Sequence, residues 1–100
     1  MNFDSFSYPG IKNIDYRNAR YQGLVSKDNK RQGFGIMLDD DMNLYCSEWN
    51  KGQLNGKTLI LLRNGRYIYG NWMEGEPHGA ISFKSKKINL YTNYYKGKAK

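Results

Sequence analysis

The chain has almost none of the residues on which small proteins most often build chemistry. One cysteine, Cys46, stands alone in 100 residues. No disulfide can form within the chain, and a reducing, intracellular setting is the expectation. One histidine, His78, supplies the single imidazole. No acidic residue is clearly placed to orient it toward Cys46, so the pair is not expected to act as nucleophile and base. The longest apolar run is "LILL", Leu59 to Leu62, far too short to span a bilayer. The first residues, "MNFDSFSYPG", have no basic stretch and no apolar stretch, and do not read as a secretory signal. Acids are outnumbered, 9 Asp+Glu against 16 Lys+Arg, for a net charge of +7. Such a surplus attracts polyanions: nucleic acid, acidic lipid headgroups or an acidic protein surface. The apolar share is 39%, and nine of those residues are tyrosine. That composition excludes a thick aliphatic core and favours a thin, extended β-structure that buries large amphipathic rings.

What is present is a repeat. "YCSEWNKGQLNGKTLILL" begins at Tyr45 and "IYGNWMEGEPHGAISF" at Ile68. A shift of about 23 residues carries Trp49 onto Trp72, Gly52 onto Gly75 and Gly56 onto Gly79. Leu90, Tyr94 and Gly97 continue the series, and "RNARY" at Arg17 anticipates "RNGRY" at Arg63. Within each unit, Tyr45, Ser47 and Trp49 alternate, as do Ile68, Gly70 and Trp72. Period 2 is the signature of a strand, and no segment shows helical periodicity with caps. The turns "NKGQLN", "MEGEPH", "RNGR", "DDDMN" and "KSKKIN" separate the strands. Each unit is therefore a β-hairpin. If Met73 to His78 form the loop, Trp72 lies opposite Gly79, and Trp49 opposite Gly56, with the indole covering the bare backbone. Gly52 and Gly75, and Asn29 in the first unit, supply loop residues able to take positive φ. A two-residue turn at Asn64-Gly65 would flip the faces between units, so a bulge is required nearby.

The pattern Y-x-G-x-W-x-x-G-x-x-x-G-x-G over roughly 23 residues resembles the MORN (membrane occupation and recognition nexus) repeat. Tyr45, Trp49, Gly52 and Gly56, and then Gly70, Trp72, Gly75 and Gly79, carry it best. The first unit matches through Tyr21, Gly23, Gly33 and Gly35, with Val25 in the tryptophan place and one extra residue before Gly33. Ser47, Ile68 and Leu90 are further departures. The expected organisation is an N-terminal segment 1–9 and a repeat domain 10–100: a half unit 10–20, units at about 21–43, 44–66 and 67–89, and a partial unit 90–100. The resemblance implies an all-β fold, an elongated, twisted, single-layer antiparallel sheet of tandem hairpins. It also implies a non-enzymatic scaffold or membrane tether, as in ciliary radial-spoke heads and parasite division scaffolds.

Other motifs give way to the repeat. "GQLNGKT", Gly52 to Thr58, ends like a phosphate-binding loop but has three residues between its glycines where four are needed. Asp39 to Asp41 lack the alternation and distal acid of a calcium loop and read as a solvated turn. No cofactor, metal or small-molecule substrate is expected.

Two sets of residues remain for function. Tyr67, Tyr69, Tyr91 and Tyr95 alternate away from the tryptophan face and are the expected contacts to other proteins of a larger, cytoplasmic or cytoskeletal, even ciliary, assembly. Open edges near Phe3 to Tyr8 and Tyr91 to Lys96 would invite a partner strand or helix. The alternative is a peripheral membrane module that binds acidic phosphoinositides through Lys84, Lys86, Lys87, Lys96, Lys98 and Lys100, in a stripe with Lys27, Lys30 and Arg31. Nucleic acid is disfavoured as a partner, because the repeat needs its aromatics for packing.

Overall fold

The computed structural model describes residues 11–85 and 89–99, with the side chains of residues 89 and 91 outside that description. Its strands are β1 (Ile11–Asp15), β2 (Ala19–Val25), β3 (Arg31–Asp39), β4 (Leu44–Asn50), β5 (Gln53–Leu61), β6 (Tyr67–Met73), β7 (Glu76–Lys84), β8 (Asn89–Tyr95) and β9 (Lys98–Ala99). Each pairs antiparallel with the next, giving one open sheet in the order β1 to β9. The fold is the all-β, single-layer meander that the repeat implies. Its extents of 41 × 27 × 23 Å are those of an elongated body.

Two kinds of turn recur among the described residues. Lys51-Gly52, Glu74-Gly75 and Lys96-Gly97 each hold both central residues at positive φ, from 47° to 83°. That geometry defines a two-residue type I′ hairpin, whose twist matches the strands it joins. Three further turns among the described residues have three residues each. At Arg63-Asn64-Gly65, the Gly65 N–H donates to Leu62 O and the Leu62 N–H to Arg66 O, with Gly65 at φ 85°. The turns through Asp40–Met42 and Lys27–Asn29 repeat that pattern, with Met42 and Asn29 at the positive-φ position. The extra residue of the first unit thus lengthens its hairpin turn from two residues to three.

The bulges lie inside the hairpins. Register shifts fall between Gly23 and Val25, Ser47 and Trp49, and Gly70 and Asn71. Opposite them sit Gly33, Gly56 and Gly79, all near φ 90°. The second glycine of each unit is a bulge residue, which an L side chain would strain. This corrects the expected register. Within its own hairpin Trp72 pairs with Pro77, and Trp49 with Leu54. Each indole faces the bulge glycine of the preceding strand pair: Trp49 faces Gly33 and Trp72 faces Gly56. The loop is two residues long where six were expected, so the strand reaches the glycine from the next unit. Tyr94 faces Gly79 in the same way.

Turn-to-strand bonds tie unit to unit. The N–H groups of Gly52, Gly75 and Gly97 donate to Arg31 O, Leu54 O and Pro77 O, acceptors spaced at 23-residue intervals. The buried side chains all lie on the tryptophan face: Tyr21, Trp49, Ile60, Trp72 and Ile81, with the polar pair Ser47 and Thr58. Ser47 stands where other units have glycine, and the buried Ser47 Oγ and Thr58 Oγ1 share a hydrogen bond at 2.6 Å. At the equivalent crossing Gly70 faces Ile81, whose Cδ1 would meet an added methyl at 2.5 Å. The small residue is matched to the size of its neighbour.

Candidate protein-interaction site

The tryptophan face divides into two halves. In the first, Tyr21 and Trp49 meet edge to face at 5.6 Å and 88°. The Tyr21 hydroxyl donates to Leu24 O at 2.7 Å, and the Trp49 indole N–H donates to Gly35 O at 3.0 Å. Arg31 occupies the repeat position of Leu54 and Pro77, and its guanidinium lies between the rings of Tyr16 (5.0 Å) and Trp49 (4.8 Å). Its Nη2 donates to Gly52 O and its Nη1 lies 3.2 Å from Met37 Sδ, while its buried Nε has no partner. Arg31 therefore belongs to the packing and not to a surface stripe. Its place in the 23-residue register was the available signal.

In the second half Ile60, Trp72 and Ile81 form the core, with Tyr45, Leu54, Leu62, Ile68, Phe83 and Tyr94 packed around it. At the end of this half, beside the β5–β6 turn, a groove of about 250 Å³ opens. Leu62, Ile68, Phe83 and Leu90 make its apolar lining, and Arg66, Tyr67, Lys84 and Ser85 also border it. The composition of the turns gave no hint of this recess, which is created by register.

The opposite face carries the expected contact residues unevenly. Tyr67 is half-buried and Tyr69 is 46% exposed. They continue two apolar rows across the sheet. One runs Ile36, Cys46, Leu59, Tyr69; the other runs Leu38, Leu44, Leu61, Tyr67. Tyr95 is exposed at the far end of β8, its ring 5.7 Å from that of His78 and 5.5 Å from Lys96 Nζ. Tyr91 pairs with Ser82 in register, and its side chain lies outside the described residues. Tyr67 and Tyr69 thus share a patch, and Tyr95 lies away from it. Phe3 to Tyr8 also lie outside the described residues.

The lysines do not form one stripe. Lys84 ends β7 and pairs with Asn89, whereas Lys96 and Lys98 lie beyond the other end of β8. A strand of that length separates them by about 20 Å at 3.3 Å per residue. Lys86, Lys87 and Lys100 fall outside the described residues. Lys30 Nζ approaches Asp28 at 3.8 Å.

Asp39 holds its own turn together. Its Oδ1 accepts from the N–H groups of Asp41 and Asn43, and its Oδ2 from Asn43 Nδ2 and the Tyr45 hydroxyl at 2.9 Å. Burial pulls the carboxyl upward, but these donors outweigh it and hold it below the usual carboxylate range. Burial and the Asp39 partner together push Tyr45 up to about 12. Cys46, on β4, is raised by burial, and His78 is three strands away on β7. Gly52 to Thr58 run from the turn straight into strand β5, without the helix a phosphate loop requires. Among the described residues no group of three or more His, Cys, Asp or Glu is placed to hold a metal ion. No helix among them is long and apolar enough to cross a membrane.

No protein-family model matches the chain. Among curated proteins, the chain is similar to a stretch of the inactive protein tyrosine kinase pTKL of Plasmodium falciparum (isolate 3D7), at 23% identity over 84 residues. The match takes in 83% of this chain and 6% of the Plasmodium protein, so the chain spans a small fraction of that relative's length.

Proposed function

We propose that the chain is a MORN-type scaffold or adaptor, a non-enzymatic module through which proteins of a larger intracellular assembly are held together. The observation that carries this reading is the apolar patch on the face opposite the tryptophans. Leu59, Leu61, Tyr67 and Tyr69 lie side by side on β5 and β6, with Leu61 40% and Tyr69 46% exposed. A single-layer sheet has no second layer to cover such a patch, and contiguous apolar surface of this kind marks contact sites. The membrane reading has less support, because Lys84 is separated from Lys96 and Lys98 by the length of β8.

Native affinity purification of the tagged chain tests the proposal. Defined proteins are expected to co-purify, and the double variant Leu61→Ser, Tyr69→Ser is expected to lose them while keeping its sheet by circular dichroism. A chain that migrates alone and monodisperse from gently lysed cells would overturn the reading.

A further inference from the structure

Strand register draws one apolar row across the whole tryptophan face, from Ile14 on β1 through Tyr21, Tyr45, Ile60 and Phe83 to Leu90 on β8. The row stops at an open edge on each side. Leu90 is 59% exposed, whereas Ile68 and Phe83 before it are half-buried. Among the described residues β9 covers the outer edge of β8 only at Tyr94 and Tyr95, and no strand lies against residues 89–92. At the other end no strand lies beyond β1 in the sheet order.

The two open edges are complementary. Every pairing is antiparallel, so β1 runs in the direction of β7 and of the strand that β8 lacks. Ile14 stands three periods of 23 residues before Phe83, and Leu90 stands 22 residues after Ile68. Ile68 pairs with Phe83, so β1 laid beside β8 in the repeat's own register sets Ile14 opposite Leu90 and Lys12 opposite Thr92. Both apolar residues then lie on the tryptophan face. Strand β8, Asn89–Tyr95, contains neither a charge nor a proline, the usual guards of an exposed edge. Lys12 on the incoming strand is held back along its own sheet, its Nζ donating to Asn29 Oδ1 at 2.7 Å.

We propose that copies of this chain associate head to tail, β1 of one copy adding antiparallel to the outer edge of β8 of the next. The sheet and its apolar row then run on from molecule to molecule. Strand β9 keeps its place opposite Tyr94 and Tyr95, and the incoming β1 takes residues 89–92 of the same edge. The contact is heterologous and leaves one free edge at each end, so growth is open. A second copy suits this edge better than an unrelated strand, because its β1 brings the repeat register and an apolar residue to meet Leu90. The inference goes beyond the scaffold reading and uses neither Leu61 nor Tyr69.

Sedimentation velocity of the purified full chain is the test. The average mass is expected to rise with concentration without settling at a dimer. Leu90→Lys and Ile14→Lys each block one edge, and each is expected to be monomeric alone. Their equimolar mixture keeps one intact junction and is expected to stop at a dimer. Thermal melts report whether both variants fold. Should Ile14→Lys unfold, a cross-link takes its place. In a Cys46→Ser chain, Ile14→Cys mixed with Leu90→Cys is expected to form an intermolecular disulfide, since directly opposed strand residues lie within disulfide reach. A wild type that stays monomeric at every concentration overturns the proposal. So does a folded single variant that still assembles alone, a mixture of folded variants that stays monomeric or grows past a dimer, or a failure to cross-link. Loss of self-association in Leu61→Ser, Tyr69→Ser also overturns it, since the contact would then lie on the patch of β5 and β6.

Discussion

The two halves of the tryptophan face share one strand register and fill it with different chemistry. In the first half, the place held elsewhere by Leu54 and Pro77 belongs to Arg31, and a cation between two rings closes the surface. In the second half the same place is apolar, the core is Ile60, Trp72 and Ile81, and the surface opens into a groove. The difference shows how a repeat can keep its backbone and divide its labour. One half is satisfied internally by ring stacking and hydrogen bonds, and the other presents side chains with nothing laid over them among the described residues.

The largest expected effect compares the two tryptophans. Trp72→Ala removes packing against Ile60 and Ile81 and is expected to cost about 3–5 kcal/mol in urea unfolding. Trp49→Ala should cost about 1–2 kcal/mol more. It also deprives Gly35 O of its donor, Tyr21 of its edge-to-face partner and Arg31 of one ring. Equal losses at the two sites would mean that the polar plug adds nothing to the packing.

Next in size are two glycines that admit no methyl group. An added Cβ at Gly35 would collide with the Tyr21 ring and hydroxyl, and one at Gly70 with Ile81 Cδ1 at 2.5 Å and Ala80 O at 2.7 Å. Each alanine variant is expected to lose about 1–3 kcal/mol by overpacking. The halves should differ in rescue. Shortening Tyr21 to Leu relieves Gly35→Ala, because the three nearest atoms all belong to that side chain. Shortening Ile81 to Val relieves Gly70→Ala less, because the Ala80 carbonyl is backbone and stays. Double-mutant cycles read out both couplings.

These contrasts also mark what the sequence made legible. The 23-residue period, the strands and the left-handed turn positions Asn29, Gly52 and Gly75 were all readable, since each depends on local backbone chemistry. The partner of each tryptophan was not. A six-residue loop and a two-residue turn with a bulge both leave Trp72 near a glycine on one face, and only the latter puts Gly56 there. Arg31 misled for a related reason. A lone cation in a basic stretch reads as surface, and the ring of Tyr16 reaches it through packing that sequence distance does not encode. Tyr67 and Tyr69 were readable as a pair by alternation, whereas the groove required three strands in register.

A smaller effect follows from pH. Burial pushes Tyr21 up to about 12, the nearby Arg31 charge opposing it, and Tyr45 rises equally through burial and Asp39. Unfolded tyrosine titrates near 10, so the folded state keeps these protons longer. The stability they supply is present below about pH 10 and declines from there to about pH 12. Thermal melts across that range should fall for the wild type, and fall less steeply for Tyr45→Phe. The acid side has the opposite sign. The depressed carboxyl of Asp39 contributes above its unfolded value of about 4 and loses that contribution as pH drops through its folded value. A wild type and a Tyr45→Phe variant with parallel alkaline slopes would assign the decline to other groups.

The smallest effect lies in the turns, where the halves again differ. The first unit spends three residues on its turn and places Asn29 at φ 59°, a conformation that asparagine tolerates. Its side-chain Oδ1 also accepts from Lys12 Nζ at 2.7 Å, linking the turn to β1. The second and third units make two-residue turns that put Lys51 and Glu74 at φ 52°, where a long side chain has no compensating local bond. Asn-Gly is the preferred pair for a type I′ turn, so Glu74→Asn should stabilise the chain by about 0.5 kcal/mol. Asn29→Lys should cost about the same or slightly more, since it gives up the Lys12 contact as well. Opposite signs at the two positions are what the turn geometry demands. If Glu74→Asn destabilises the chain, Glu74 has a role in the turn beyond its backbone, and the two halves are less alike in their register than their hydrogen bonds suggest.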